Sequence, residues 1–197
     1  MSIDTLVVLD LEATCWNDAL GNSGRTMETI EIAAIHATPD GKALSSFQTF
    51  IRPVINPVLS DFCTSLTGIT QQDVNRAPGY EAAILAFDAW CAERDCAAWS
   101  SWGAYDKKQL FADSTYHKVL PLFFEKVHVN LKKPWKKTTK CKRDALRAAL
   151  DFHGLKFEGT PHRAMDDTLN IVRLLPFIDK QTLNDAFSAA LALKVGH

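Results

Sequence analysis

Five side chains in this sequence are of types that do chemistry together: Asp10, Glu12, Asp106, His162 and Asp167. Asp10 and Glu12 end a run of apolar, mostly branched residues, Leu6-Val7-Val8-Leu9. Such a run without polar alternation predicts a strand buried on both faces. Side chains alternate along a strand, so both acids project to one face with Cα atoms roughly 6.5–7 Å apart. Two carboxylates held side by side are costly unless a cation lies between them, and a divalent metal with oxygen ligands is the simplest one. Taken alone, D-x-E is equally a solvated strand end. Asp106 follows Trp102-Gly103-Ala104-Tyr105 at the end of a further strand, where a lone acid also suits a helix N-terminus. In His162-Arg163-Ala164-Met165-Asp166-Asp167, helical periodicity separates the two aspartates. Asp166 shares a face with Asn170 and Arg173, a polar stripe expected to meet water, whereas Asp167 shares one with Ile171 and Leu174 and points inward. His162 and Asp167 stand about 140° apart on a continuous helix. They converge only if His162 lies at or before the first turn, which Pro161 permits. A histidine satisfied by structural contacts is the alternative for His162. Three or four carboxylates around one cleft repel strongly without metal. With two divalent ions about 3.5–4 Å apart they form a clamp for in-line phosphoryl transfer, with a histidine to deprotonate the attacking water.

The elements that must position these groups follow from pattern and punctuation. Strands are predicted over 6–14, 28–37, 46–51, 96–102 and 127–131, the first three as a meander with antiparallel pairing. Residues 15–27 form a polar loop that begins beside the carboxylates and can wall the site. Ser60 or Asp61 caps a short helix stopping near Gly68, and Thr70 caps another. Longer helices are expected over 80–93, from Asp106, over 143–152, from Thr160-Pro161 to about Leu175, and over 182–195. Strands first and then strand–helix alternation predict one α/β domain over 1–197, with the motifs inside about 6–175.

Composition sets further bounds. The 197 residues are 47% hydrophobic and 23% charged, ordinary for a folded domain, with no apolar run near a membrane span and no basic leader. Five cysteines without C-x-x-C spacing suggest reduced thiols and a cytoplasmic location. The net charge of −1 hides an asymmetry. From Lys132 to Arg143 there are seven basic residues and no acid; removing them from the 22 leaves 15 against 23 acidic residues. A basic patch on an acidic body is where a polyanion docks, although such runs are also plain solvated loops. Within it, Lys136 and Lys137 are candidate phosphate contacts and Trp135 a candidate stacking surface, or else a residue packed in the domain.

Three motifs together carry a family resemblance. Val8-Leu9-Asp10-Leu11-Glu12-Ala13-Thr14-Cys15, Ser101-Trp102-Gly103-Ala104-Tyr105-Asp106 and Pro161-His162-Arg163-Ala164-Met165-Asp166-Asp167 resemble the exonuclease motifs of the DEDDh superfamily. The Ala-Thr-Cys tail is similar to the branch of enhanced-RNAi and histone-mRNA 3′-end exonucleases, as are Leu66-Thr67-Gly68-Ile69-Thr70, Asn130-Leu131-Lys132 and Leu155-Lys156-Phe157-Glu158-Gly159. The resemblance implies an RNase H-like fold: a five-stranded mixed sheet flanked by helices on both faces, its second strand antiparallel to the rest. It implies 3′→5′ removal of nucleoside 5′-monophosphates from single-stranded 3′ ends, RNA favoured, with two Mg²⁺ or Mn²⁺ ions. On that pattern Asp10, Glu12 and Asp167 ligate metal, Asp106 helps hold the second ion, and His162 is the general base. It also implies 2′-hydroxyl contacts at the backbone beside Glu12 and Ala13, with the terminal base near Met27 and Thr67. A DNA exonuclease of the same mechanism and an idle nucleic-acid-binding module are the alternatives; a binding module has no use for clustered buried acids.

Overall fold

The computed structural model describes residues 3–17, 24–96 and 98–195, so part of the polar loop expected over 15–27 (residues 18–23) lies outside it, as does Ala97 of the expected fourth strand. The chain runs β1 (Leu6–Ala13), β2 (Thr29–Ala37), β3 (Ala43–Phe50), α1 (Asp61–Thr67), α2 (Gln71–Arg76), α3 (Tyr80–Ala92), β4 (Ala98–Ser101) and α4 (Tyr105–His117). It continues through β5 (Val127–Asn130), α5 (Lys132–Thr139), α6 (Leu146–Phe152), α7 (Ala164–Val172) and α8 (Lys180–Val195). The sheet order is β3-β2-β1-β4-β5. β2 is antiparallel to β1 and β3, while β4 and β5 run parallel to β1. This is the mixed sheet that the motifs imply, with helices on both faces.

β1 is central because both of its faces are apolar. Leu6 and Val8 pack with Ile171 and Val172 of α7 on one side. Val7, Leu9 and Leu11 pack with Tyr80, Ile84, Phe87 and Leu110 on the other. Each such side chain stabilises the fold by about 1.5–3 kcal/mol when fully buried. The same alternation gives Asp10 and Glu12 the Leu6–Val8 face, so both acids must look towards α7. Among the described residues no helix is long and apolar enough to cross a membrane.

Local signals place the helix ends. The Ser60 hydroxyl accepts from Cys63 N–H at 2.9 Å, and Gly68 closes α1 at φ 68°. Thr70 and Asp73 form a reciprocal capping box at α2. Two regions depart from the pattern. The lysine-rich stretch is helix α5 rather than an open loop, with Pro134 in its first turn, where a missing N–H leaves no bond unmade. Trp135, read as a possible stacking surface, is fully buried. Its Nε1 donates to His153 Nε2 at 3.1 Å and its ring meets Trp102 edge-on at 5.6 Å. A ring enclosed in the core cannot stack a base, so that reading is corrected. The cause is helical: the lysines take the solvent face of α5 and leave the tryptophan the inward one. The second departure is at α7, which begins at Ala164 and not at Pro161.

Candidate active site

The end of β1 and the first turn of α7 bring three carboxylates together. Asp10, Glu12 and Asp167 each offer an oxygen within 4.8 Å of the other two. Burial, then the charges of Asp106, Asp167, Glu12 and Glu31, hold the Asp10 carboxyl well above the usual carboxylate range. Burial and then Asp167 push Glu12 up to about 8, and burial raises Asp167 to about 6. Asp167 Oδ2 is buried with no hydrogen-bond partner. Mutually repelling acids with an oxygen that no described residue satisfies form a site that a cation would satisfy.

Asp106, 5% exposed in the first turn of α4, is not one of these three but faces them as the largest charge acting on Asp10. Burial raises its pKa, opposed by hydrogen bonds that include those of the Ser101 hydroxyl and the Leu11 backbone, and by the Lys132 charge. Lys132, the last residue of the Asn130-Leu131-Lys132 motif and the first of the basic run, carried no expected role beside Asp106. Its Nζ lies 3.8 Å from where a Cβ on Gly103 would stand.

His162 lies before α7, exposed, in the left-handed region at φ 63°. That turn is what lets it share a site with Asp167, because a helix begun at Pro161 would turn the two apart. The loop is fixed from both sides. A Cβ on Gly159 (φ 82°) would come 2.4 Å from Asp166 Cγ, so the chain needs glycine there. Asp166 Oδ2 in turn accepts from Thr160 N–H at 2.8 Å. Asp166 therefore ties down the loop. The stripe expected to meet water is partly internal: Asn170 is fully buried, its Nδ2 donating to the carbonyls of Glu158 and Asp166.

On the other side stands Glu31, fully buried and paired in register with Glu12 across β1 and β2. It accepts from Gln48 Nε2 at 2.6 Å and from Ala164 N–H at 3.2 Å, and it faces Arg163 Nε at 3.5 Å. It anchors the N-terminus of α7, and sequence reasoning passed over it. The available signal was an acid set inside the otherwise apolar Ile30-Glu31-Ile32-Ala33-Ala34-Ile35.

The remaining candidates are more scattered. Ala13 ends β1 after a bulge, 8% exposed. The Met27 carbonyl accepts from Gln109 Nε2 at 3.0 Å. Thr67 is fully buried, its hydroxyl donating to the Cys63 carbonyl at 2.9 Å. Lys136 pairs with Asp144 at 3.0 Å and Lys137 with Asp185 at 3.4 Å, so these two lysines already meet acids of the chain.

The comparisons with known proteins agree with this geometry. The family described as Exonuclease (RNase_T) matches residues 7–175. The Homo sapiens protein named ERI1 exoribonuclease 2 is 29% identical over 194 residues, covering 87% of this chain and 28% of the relative. The Homo sapiens 3′-5′ exoribonuclease 1 is 30% identical over 187 residues, covering 87% and 51%. The chain thus spans only 28% to 51% of these relatives. Among solved structures, the nuclease domain of 3′hExo, a DEDDh family member bound to rAMP, superposes with a TM-score of 0.82 at 28% identity, covering 94% of each chain. A 3′-exonuclease in 3′-end-specific recognition of a histone mRNA stem-loop gives 0.83 at 26% identity, covering 95% of this chain and 84% of that one. With the family match running from β1 to the residues just beyond α7, this chain belongs to the RNase_T exonuclease family.

Proposed function

We propose that this chain is a 3′→5′ exoribonuclease that removes nucleoside 5′-monophosphates from single-stranded 3′ ends. The observation that carries the reading is the Asp10–Glu12–Asp167 cluster, with one oxygen of each within 4.8 Å of the others and Asp167 Oδ2 left without a partner. The donor set fits hard divalent cations such as Mg²⁺ or Mn²⁺: all oxygen, anionic and too repulsive to stand uncompensated. Asp10, Glu12 and Asp167 would hold the ions, with Asp106 beside Asp10. When bound, the ions would neutralise the scissile phosphate and polarise its P–O bonds.

The chain's own groups do the rest. His162, on an exposed turn beside Asp167, takes the proton of the attacking water. Glu31 and Asp166 hold that turn in place. The backbone at Glu12 and Ala13 is suited to meet a 2′-hydroxyl, and Met27 and Thr67 to border the terminal base. Relatives named exoribonucleases support RNA as the substrate.

The test uses 5′-labelled RNA and DNA of matched sequence with Mg²⁺, Mn²⁺ or EDTA. One-nucleotide ladders from the RNA 3′ end, abolished by EDTA, are expected. A preference for DNA refutes the substrate; internal cuts, or activity in EDTA, refute the mechanism.

A further inference from the structure

Away from the acids, a groove of about 970 Å³ runs between α4, α8 and the outer edge of β5. It is at the upper end of the ~300–1,000 Å³ range of ligand clefts. β5 closes the sheet on this side. The Leu131 amide donates to the Ser101 carbonyl at 3.0 Å. Parallel ladders alternate, so the amides of His128 and Asn130 point outward to the groove.

Its lysines differ in their commitments. Lys126 donates to the Cys96 carbonyl at 3.0 Å, Lys194 to the Phe124 carbonyl at 3.0 Å, and Lys137 faces Asp185. Lys107 and Lys133 have no such partner among the described residues, and both act on His128, which burial first and then these charges push down to about 4. Phe111, one turn beyond Lys107 on the same face of α4, is 66% exposed at the groove wall.

One end of the groove neighbours the acid cluster through Lys107 and the buried Ser101. Lys107 follows Asp106 directly, and the Ser101 hydroxyl lies between His128 Nε2, at 2.9 Å, and the Asp106 carboxylate. Uncommitted cations, outward amides and an exposed ring leading from the acids are what a single strand needs: phosphate contacts plus a stacking face.

We propose that this groove carries the upstream nucleotides of single-stranded RNA, with phosphates on Lys107 and Lys133 and a base against Phe111. The inference rests on the exonuclease reading and moves the phosphate track from Lys136 and Lys137, which face Asp144 and Asp185, to two lysines that face no acid among the described residues.

The test compares wild type with Lys107→Gln/Lys133→Gln and with Phe111→Ser, on a 20-nucleotide RNA and on a dinucleotide. The double variant should raise KM for the 20-mer about tenfold with little change in kcat. Losing two phosphate contacts should flatten its log–log salt dependence by ~1.4. Phe111→Ser should weaken the 20-mer by ~5–100-fold. Dinucleotide turnover should stay within twofold in both variants. Unchanged 20-mer kinetics overturn the proposal, and so does equal loss on the dinucleotide, which would assign the lysines to the catalytic centre. Fluorescence anisotropy of the labelled 20-mer on the Asp10→Asn protein reads the groove even if wild type cuts no RNA, so the two failures are separable. Tighter lysine-dependent binding of a 20-residue polyglutamate than of RNA, at equal ionic strength, would instead make the groove a docking site for acidic protein.

Discussion

Replacing Glu12 by Gln while scanning pH without metal isolates the electrostatic strain of the site. Glu12 rises from an ordinary 4.5 to about 8 in the folded chain. Between those values the native state holds more proton than the unfolded one, so this contribution is complete below 4.5 and is lost as pH climbs through 8. Below pH 6.5 three buried or half-buried histidines oppose the trend: His36, His128 and His153 are all lowered by burial, and their contribution grows with pH there. Above pH 7 Cys63, which a hydrogen bond from Cys15 lowers to about 7, opposes it too; both proteins carry these groups, so their difference between pH 6.5 and 8 isolates Glu12. Across that window Glu12 changes stability by at most ~2 kcal/mol, at 1.36 kcal/mol per unit. Its partial exposure reduces this to about 1 kcal/mol, or roughly 2–4 °C in Tm for a chain of this length. In EDTA, wild type should lose that much relative to Glu12→Gln between pH 6.5 and 8 by differential scanning calorimetry. Metal should reverse the order. Binding needs deprotonated carboxylates, so the Tm gain from Mn²⁺ should grow with pH, reaching about 2.7 kcal/mol at a hundred times Kd. The variant should lose most of that gain. Parallel Tm–pH curves for the two proteins in EDTA, with equal responses to Mn²⁺, would refute the burial-and-repulsion account.

Asp10→Asn or Asp167→Asn should abolish hydrolysis of labelled RNA with the far-UV circular dichroism unchanged; turnover within tenfold of wild type in either removes it from the ligand set. His162→Ala should lower turnover ~10²–10⁴-fold while Mn²⁺ still raises Tm, and loss of that rise would make the histidine a ligand. Glu31→Gln keeps the shape but removes the charge facing Arg163; it should lower kcat, leave KM alone and keep the metal response, whereas an unchanged kcat would free Glu31 from positioning the His162 turn. Trp135→Ala should destabilise by about 3–5 kcal/mol in urea titration without changing dinucleotide turnover at low temperature, and a selective loss of RNA affinity instead would restore it as a contact.

Much of this protein was legible in one dimension because its physics is local. An apolar strand with period-two acids fixes which way Asp10 and Glu12 face. Helical periodicity picks Asp167 over Asp166, and Ser60, Gly68 and Thr70 end helices through their own side chains or φ preference. Tertiary structure decided what depends on neighbours distant in sequence. Trp135 and the lysines share α5, and only packing against Trp102 and His153 buries the one and exposes the others. Lys136 and Lys137 read as a bare cationic run until folding sets Asp144 and Asp185 beside them. Glu31 gains its role only when β2 pairs with β1 and α7 docks on both. His162 stands beside Asp167 because Gly159 and Asp166 hold a left-handed turn that 3.6-residue periodicity has no means of announcing.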